Sequence, residues 1–309
     1  MKYRIAAYIS IIVLTGCAGT AIQQRTELPP PLPEAQINTD TGEEVARHLT
    51  SRYAAVTTHC GTVSQPAFLC NGIMIRGTSY REGRYAWDNS PANHESGGVS
   101  FSYLRKDSVY RKLAYGYTNG YIFEPYTFAV DKVHPEVMCS FPVDASTSRR
   151  EDKGCGVNPT YAGSGLCAYQ GISTAQQWWQ HYQRVPSASR RSAQCGFEVR
   201  DELNWRAGPA FIESLAAMAL AGKESFDTQN ELRLAVWADG SGTSLPLEAF
   251  FYTVGNAGEA QGRSDAQHNQ RDFLKSSRIW VPVISIKLPA IQGVDATFRY
   301  SAADQGVTP

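Results

Sequence analysis

The chain has 309 residues, and its 29 lysines and arginines balance its 29 aspartates and glutamates, so the formal net charge is zero. A neutral protein has no electrostatic attraction to a phosphate backbone, and this excludes the usual basis for a nucleic-acid partner. Residues 43–300 contain no repeat and no internal linker, which predicts a single domain.

The N-terminal residues have the form of an export signal. Lys2 and Arg4 precede an apolar run from Ile5 to Leu14, which is shorter than the roughly 20 residues needed to cross a bilayer. The run ends in Leu14-Thr15-Gly16-Cys17, which resembles the bacterial lipobox and implies cleavage before Cys17 and lipidation of it; ordinary signal cleavage nearby is the alternative. We expect an exported, lipid-anchored protein of the cell envelope, at the outer membrane, with release outside the cell as the alternative. The lipid would be its one attachment to the membrane.

The predicted organisation has four parts. They are a signal peptide at 1–16, lipid attachment and a tether at 17–42, the domain at 43–300 and a flexible tail at 301–309. The tether contains Pro29-Pro30-Pro31-Leu32-Pro33 within polar sequence. Such a composition favours extended chain and cannot bury a core.

Cysteine usage agrees with export. If Cys17 carries lipid, six cysteines remain: Cys60, Cys70, Cys139, Cys155, Cys167 and Cys195. An even number predicts disulfides and leaves about 15 connectivities open; the short loop favours Cys60 with Cys70. The cysteines lack a paired CxxC pattern with interleaved histidines. The histidines of the chain also lack metal-binding spacing, so no metal is expected.

The pattern of apolar residues predicts an α+β fold. Helices are predicted at 43–53, with a capping box from Thr41 to Glu44, from Ser173 through Tyr182, and at 209–220. Strands are predicted at 68–75, 99–104, 229–237, 247–254 and 280–288, and Asn119-Gly120 predicts a turn within 113–123. These elements together predict a mostly antiparallel sheet with flanking helices.

The end of the first predicted strand carries an arginine. Arg76 follows the apolar residues Ile73 to Ile75, Gly77 allows a turn or a close approach to a ligand, and Thr78 adds a hydroxyl. A guanidinium grips phosphate oxygens in a two-pronged way, so this strand end suits an anionic ligand. A solvated arginine at an ordinary strand end is the alternative.

Two later strands also carry polar side chains on one face. Ser100 and Ser102 alternate with apolar residues, and Gln229 and Glu231 precede Leu232 in the same way. Either pair could be outward-facing strand residues without a ligand.

The order of these residues resembles the Arg, Ser and Gln/Glu-x-Glu order of ADP-ribosyltransferase-type folds, which bind NAD. The resemblance implies that Arg76, with Gly77 and Thr78, holds an NAD phosphate and that Ser100 or Ser102 supports the ribose. It implies Glu231 as the catalytic carboxylate and Gln229 as the residue governing the acceptor. The helical, cysteine-bearing stretch between Ser102 and Gln229 would then be an insertion.

Four stretches extend the resemblance to one group, the halovibrin-like secreted bacterial proteins. They are residues 98–105, 113–120, 194–200 and 225–235. The resemblance implies an exported NAD glycohydrolase, with ADP-ribosyltransferase activity also proposed for the group. NAD would be the substrate rather than a cofactor, and a host or competitor protein would be the acceptor in any transfer. The lipobox departs from the group and implies a tethered form.

A function without catalysis is the alternative. The segment 110–126 is rich in tyrosine, and an envelope lipoprotein could use it to bind a glycan or a protein.

The lipobox is tested by Cys17→Ala. Without the thiol that accepts the lipid, the variant should leave the membrane fraction for the soluble fraction, measured by cell fractionation and immunoblotting. A variant that stays with membranes as the unchanged protein does would show that Cys17 is not the anchor.

Overall fold

The computed structural model describes residues 41–60, 67–80, 99–123, 133–146, 150, 155–161, 163–199, 208–238 and 247–307. The predicted signal peptide, Cys17 and nearly all of the tether lie outside these residues. Among the described helices, none combines the length and apolar composition needed to cross a bilayer.

Helices and strands alternate along the described chain. The α-helices are α1 (Gly42–Ala54), α2 (Ala175–Arg184), α3 (Arg190–Ala193), α4 (Gly208–Ala221), α5 (Lys223–Asp227) and α6 (Glu259–Ser277). The strands are β1 (Ile73–Thr78), β2 (Val99–Leu104), β3 (Asn119–Phe123), β4 (Val133–Phe141), β5 (Gly165–Leu166), β6 (Cys195–Glu198), β7 (Glu231–Ala238), β8 (Leu247–Thr253), β9 (Val283–Lys287) and β10 (Thr297–Tyr300).

The described strands form one sheet in the order β10-β9-β8-β3-β1-β2-β7-β4-β6-β5. Within it, β8 and β9 are parallel, as are β5 and β6, and the other described pairs are antiparallel. Helix α6 connects the parallel pair β8 and β9, as a crossover between parallel strands requires. The predicted α+β class with a mostly antiparallel sheet is confirmed.

Apolar side chains cover both faces of the sheet. On one face, Met74 and Phe101 pack with Phe211 and Met218 of α4 and with Phe273 of α6. On the other face, α1 packs its apolar side against the sheet, and this cluster includes Val45, Leu49, Tyr53, Ile73 and Ile75. Neighbouring residues of β1 thus point to opposite cores, as the alternation of a strand requires.

Helix starts follow the predicted capping chemistry. Thr41 and Glu44 form the predicted capping box of α1. For α2, the cap is Thr174 with Gln177, one residue later than the predicted start at Ser173. Helix α4 matches its predicted range within one residue at each end.

The predicted turn at Asn119-Gly120 is wrong, because both residues belong to β3. The chain turns earlier, at Tyr115 and Gly116, which have φ of 56° and 71°. Gly120 lies opposite Gly77 of β1, and a Cβ added to Gly120 would stand 1.9 Å from the carbonyl oxygen of Arg76. This glycine permits a close approach of two strands rather than a turn.

Other differences concern strand limits and elements that the pattern did not indicate. Residues 67–69 form a 3-10 turn, so β1 begins later than predicted, and β7 begins at Glu231 rather than Gln229. The sequence did not predict β4, β6, β10 or α6.

Residues 301–307, predicted to be part of a flexible tail, are held against the domain. The side chain of Gln305 donates to the Val283 carbonyl and accepts from its N–H, and Trp280 Nε1 donates to the Val307 carbonyl.

The stretch between Ser102 and Gln229, predicted to be an insertion, contributes strands to the central sheet. It contains helices and four cysteines, as predicted, and Trp178 of α2 is buried in a separate apolar cluster there. It also supplies β3, which pairs with β1 and β8, and β4, which pairs with β7. This stretch is therefore part of the central sheet.

The six cysteines form three disulfides. They pair Cys60 with Cys70, Cys139 with Cys155 and Cys167 with Cys195. The prediction for Cys60 and Cys70 is confirmed, and the structure decides the connectivity that the sequence left open.

Three bridges predict that the protein, denatured without reductant, shows no thiol from these six positions. Ellman titration in guanidinium measures this, with the reduced protein as the positive control. Because removing a native disulfide typically costs about 2–5 kcal/mol, Cys167→Ser with Cys195→Ser should also lower the unfolding midpoint. Two or more titratable thiols in the unreduced protein would contradict the pairing.

Candidate active site

Three adjacent strands carry the arginine, serine and glutamate that the sequence singled out. β1, β2 and β7 are consecutive in the sheet, although β2 and β7 are far apart in the chain. Ser100 lies opposite Arg233 across the β2–β7 ladder, and Glu231 is two residues before Arg233. Residues two apart share a face of a strand, so Glu231 is the diagonal neighbour of Ser100.

Short hydrogen bonds connect the three residues. Ser100 Oγ donates to Glu231 Oε1 at 2.5 Å, and Arg76 Nη1 donates to the carbonyl oxygen of Ser100 at 2.7 Å. Arg76 leaves β1 on the face of Met74 rather than that of Ile75, so it reaches the main chain of Ser100 and not its hydroxyl. Arg76 and Ser100 are partly exposed.

The Glu231 carboxylate is buried, with 3% of the residue exposed. Its second oxygen, Oε2, accepts the N–H of Ala145 at 3.0 Å. Each oxygen therefore has a donor from a different part of the chain, which offsets the cost of removing a charge from water.

Buried arginines surround this carboxylate. Burial lowers the pKa of Arg150 to about 10, and the negative charge of Glu231 opposes the shift. Burial also lowers the pKa of Arg233, where Glu231 again opposes the shift and the positive charge of Arg76 adds to it. Glu231 is thus the counter-charge for two buried cations, which is a structural role that any proposed chemistry must accommodate.

Asn230 fixes the point at which β7 enters the sheet. Its Oδ1 accepts the N–H of Tyr103 and its Nδ2 donates to the carbonyl of Tyr103, both at 2.7 Å. The side-chain amide thereby substitutes for a main-chain partner of β2 just before Glu231.

Gln229 also lies near this start of β7, in contact with two other segments. Its Oε1 accepts the N–H of Ala114 at 3.0 Å, and its carbonyl accepts the N–H of Asp144 at 2.8 Å. Gln229 therefore joins the turn at 114–116 to the turn that follows β4.

The other predicted ligand-binding residues are Ser102, Gly77 and Thr78, and their described contacts are with residues other than Ser100 and Glu231. Ser102 is buried, and its hydroxyl is bonded to Tyr110 Oη at 2.7 Å and to the Ile75 carbonyl at 3.3 Å. Gly77 is packed against Tyr117, and Thr78 Oγ1 donates to the carbonyl of the next residue. Both lie at the partly exposed end of β1 beyond Arg76.

Sequence reasoning missed several parts of the site. The donor from Ala145 is a main-chain N–H, which leaves no mark in the sequence. Asp144 and Arg150 lie within the loop closed by Cys139 and Cys155, and Arg191 lies in α3, where no sequence pattern distinguished their charges from solvated ones. Arg233 lies within the predicted strand at 229–237 but was not singled out.

A cluster of metal-binding side chains or a cavity would indicate where a ligand binds. Among the residues that the structure describes, no cluster of three His, Cys, Asp or Glu side chains could hold a metal ion. A cavity of about 300 Å³ is lined by residues in 106–109, 218–226 and 292–295, and Arg76, Ser100 and Glu231 are not among them.

Comparison with known proteins adds no assignment: no family model matches this chain, and no curated protein matches it.

Asn230→Ala tests how the start of β7 is held. It removes both bonds to Tyr103 and leaves a buried N–H and carbonyl unpaired, so unfolding free energy should fall by about 2 kcal/mol or more, measured by urea denaturation. Asn256→Ala is the control, because that amide bonds Thr253 in an exposed turn, and it should cost less than about 1 kcal/mol. Equal losses would show that Asn230 has no special role.

Proposed function

We propose that this protein is an exported NAD glycohydrolase that releases nicotinamide through an oxocarbenium-like transition state. The observation that carries the proposal is the contact of Ser100 Oγ with Glu231 Oε1 at 2.5 Å, with Arg76 bonded to the main chain of the same serine. Arginine, serine and glutamate from three adjacent strands are thus connected through Ser100, which supports the proposal.

Arg76 supplies the group for the diphosphate of NAD. A guanidinium carries five N–H donors in a planar fork, which matches the paired oxygens of a phosphate. Arg76 donates one of its N–H groups to Ser100 at a partly exposed strand end. A diphosphate bound there would lie beside β2, the strand whose Ser100 contacts Glu231.

Glu231 supplies the negative charge. As the bond from the anomeric carbon to the nicotinamide nitrogen breaks, its electron pair leaves with the nitrogen and positive charge develops on the ribose. A fixed carboxylate stabilises that charge. Nicotinamide departs neutral and needs no proton. Water then bonds to the anomeric carbon and releases one proton to solvent, giving ADP-ribose.

Gln229 favours water as the acceptor. It occupies the position two before the proposed catalytic glutamate, where arginine-modifying transferases of the resembling fold carry a glutamate. Glutamine cannot accept a proton from an incoming guanidinium, so we propose hydrolysis as the main reaction. Transfer to a host or competitor protein is the secondary activity.

The finer identity belongs to the same proposal. We assign the domain to an ADP-ribosyltransferase-like fold of the halovibrin-like group, and we place it in the cell envelope on a lipid at Cys17. The ten-stranded sheet and the position of the three site residues support the fold, and three disulfides fit an oxidising compartment.

The second candidate is a non-catalytic envelope lipoprotein that binds a glycan or protein. One observation favours it: the side chain of Tyr115 is 77% exposed on a residue with φ of 56°, and its ring lies 5.8 Å from that of Tyr117. An exposed aromatic ring on a residue of uncommon backbone conformation, next to a second, partly buried ring, suits a contact surface.

Glu231→Gln tests the proposed chemistry. Glutamine keeps the size of the side chain and removes its charge, so kcat for nicotinamide release should fall about a hundredfold or more, with NAD as substrate and chromatographic detection of nicotinamide. Arg76→Lys should chiefly raise KM because the fork is lost, and Gln229→Ala should have the mildest effect.

The matched control is Glu248→Gln. Glu248 is also buried and bonded, with Oε1 2.7 Å from His48 Nδ1, but it lies in β8 away from the Ser100–Glu231 pair. Its kcat should be unchanged. A folded Glu231→Gln protein with full nicotinamide release would exclude this carboxylate from the mechanism, and a wild-type protein that leaves NAD intact would favour the binding function.

A further inference from the structure

A short turn after β4 lies against the start of β7. The N–H of Asp144 donates to the carbonyl of Gln229 at 2.8 Å, and the N–H of Ala145 donates to Glu231 Oε2 at 3.0 Å. Ser146 follows with φ of 53°, a left-handed conformation that is uncommon for serine. The direction of the Ala145 N–H, and with it one of the two hydrogen bonds described for the carboxylate, depends on the shape of this turn.

The carboxylate of Asp144 holds the turn in that shape. Its Oδ1 accepts the N–H of Ser146 at 2.8 Å, and its Oδ2 accepts Arg191 Nη2 at 2.5 Å. Arg191 Nε also donates to the main-chain carbonyl of Asp144 at 3.0 Å. The guanidinium thus grips the side chain and the main chain of one residue, which restricts rotation of the turn.

Asp144 and Arg191 lie in two loops, each closed by its own disulfide. The turn lies within the loop closed by Cys139 and Cys155, and Arg191 lies within the loop closed by Cys167 and Cys195. Arg150, from the first loop, donates to the carbonyl of Gln194 in the second at 2.8 Å. The Asp144–Arg191 pair is therefore a contact between two disulfide-closed loops, and Asp144 precedes Ala145, whose N–H contacts Glu231.

The electrostatic setting of Asp144 is unfavourable for its charge. Burial and, next, the negative charge of Glu231 raise the pKa of Asp144 to about 6, while Arg191 and the N–H of Ser146 oppose the shift. An acid with a raised folded pKa gains stability on protonation. Its favourable contribution is full below its unfolded pKa and is lost as pH rises through the folded one. Ionised Asp144 thus opposes folding at neutral pH, and groups with strongly shifted pKa values are concentrated at functional sites, although structural ion pairs also shift them.

We propose that Asp144, paired with Arg191, is a positioning residue that aims the Ala145 N–H at Glu231 and so holds the carboxylate for the reaction. The inference rests on the proposed function. Asp144 does not touch the substrate; it acts through the turn.

Asp144→Asn is the main test. Asparagine can still accept the Ser146 N–H but loses the charge that pairs with Arg191. The kcat for nicotinamide release should fall about tenfold, because a small misplacement of a catalytic group is costly, while KM for NAD stays within about twofold. The melting temperature should not fall, since the variant removes a charge that opposes folding.

Activity against pH gives a second measurement that a structural role would not change. In the unchanged protein, kcat should fall as pH drops through about 6, because protonated Asp144 loses its charge pair with Arg191. The charged groups facing Asp144 are Glu231 from β7 and Arg191 from α3. Asp144→Asn should remove this step from the pH profile.

The chain offers a closely matched control. Arg190, the neighbour of Arg191 on α3, pairs with Glu224 at 2.7 Å. None of its described contacts is with the turn at residues 144–146. Glu224→Gln should leave kcat and the pH profile unchanged. If Asp144→Asn does not fold, Arg191→Gln removes the same pair from its more exposed side and should reproduce the loss of kcat.

An NMR measurement separates this inference from the proposed function. The Ala145 amide should shift and exchange faster with solvent in Asp144→Asn than in the Glu224→Gln control. An unchanged Ala145 amide, or a wild-type kcat and pH profile in Asp144→Asn, would overturn the positioning role. If the amide responds but the unchanged protein releases no nicotinamide, the turn does hold Glu231, and it is the proposed function that fails.

Discussion

The structure around the candidate site depends on one constraint: a carboxylate removed from water requires donors for both of its oxygens. Glu231 obtains one from the hydroxyl of Ser100 on β2 and the other from the N–H of Ala145 after β4. It also lies near the buried cations Arg150 and Arg233. The charge of Glu231 therefore has its partners only when β2, the turn after β4, Arg150 and β7 have come together. Glu231 in turn stabilises these segments in the folded state.

The disulfides make this arrangement possible in a long connection between β2 and β7. Loops that bring distant groups to one place lose conformational entropy, and a crosslink reduces that cost by restricting the unfolded chain. The Cys139–Cys155 bridge closes the loop that carries Ala145, and the Cys167–Cys195 bridge closes the one that carries Arg191. A buried glutamate could serve as a counter-charge alone. The proposed catalysis is supported by two partly exposed residues: Ser100 bonds this carboxylate, and Arg76 bonds the main chain of Ser100.

Much of the fold could be predicted where local chemistry decides it. The capping box at Thr41 and Glu44 and the apolar faces of α1 and α4 required no knowledge of the rest of the chain. Prediction failed where a residue answers to a distant neighbour. Asn119-Gly120 is typical of a turn, but Gly120 lies in a strand, close to the carbonyl oxygen of Arg76. Helix α6 has a largely polar surface and packs only a few residues, such as Ala266 and Phe273, into the core. The C-terminal residues also owe their order to contacts with Trp280, Val283 and Gln270.

For the site, the sequence by itself singled out the candidate residues: a guanidinium at a strand end, a serine on an alternating strand and a carboxylate two residues after a glutamine. It could not determine their distances, because strand order is set by pairing between segments far apart in the chain. Only the tertiary structure placed β2 between β1 and β7, joined Ser100 to Glu231 and withdrew Ser102 into contact with Tyr110. The second donor to Glu231 is a main-chain N–H, and since every residue but proline has one, only the folded chain decides which of them points at the carboxylate.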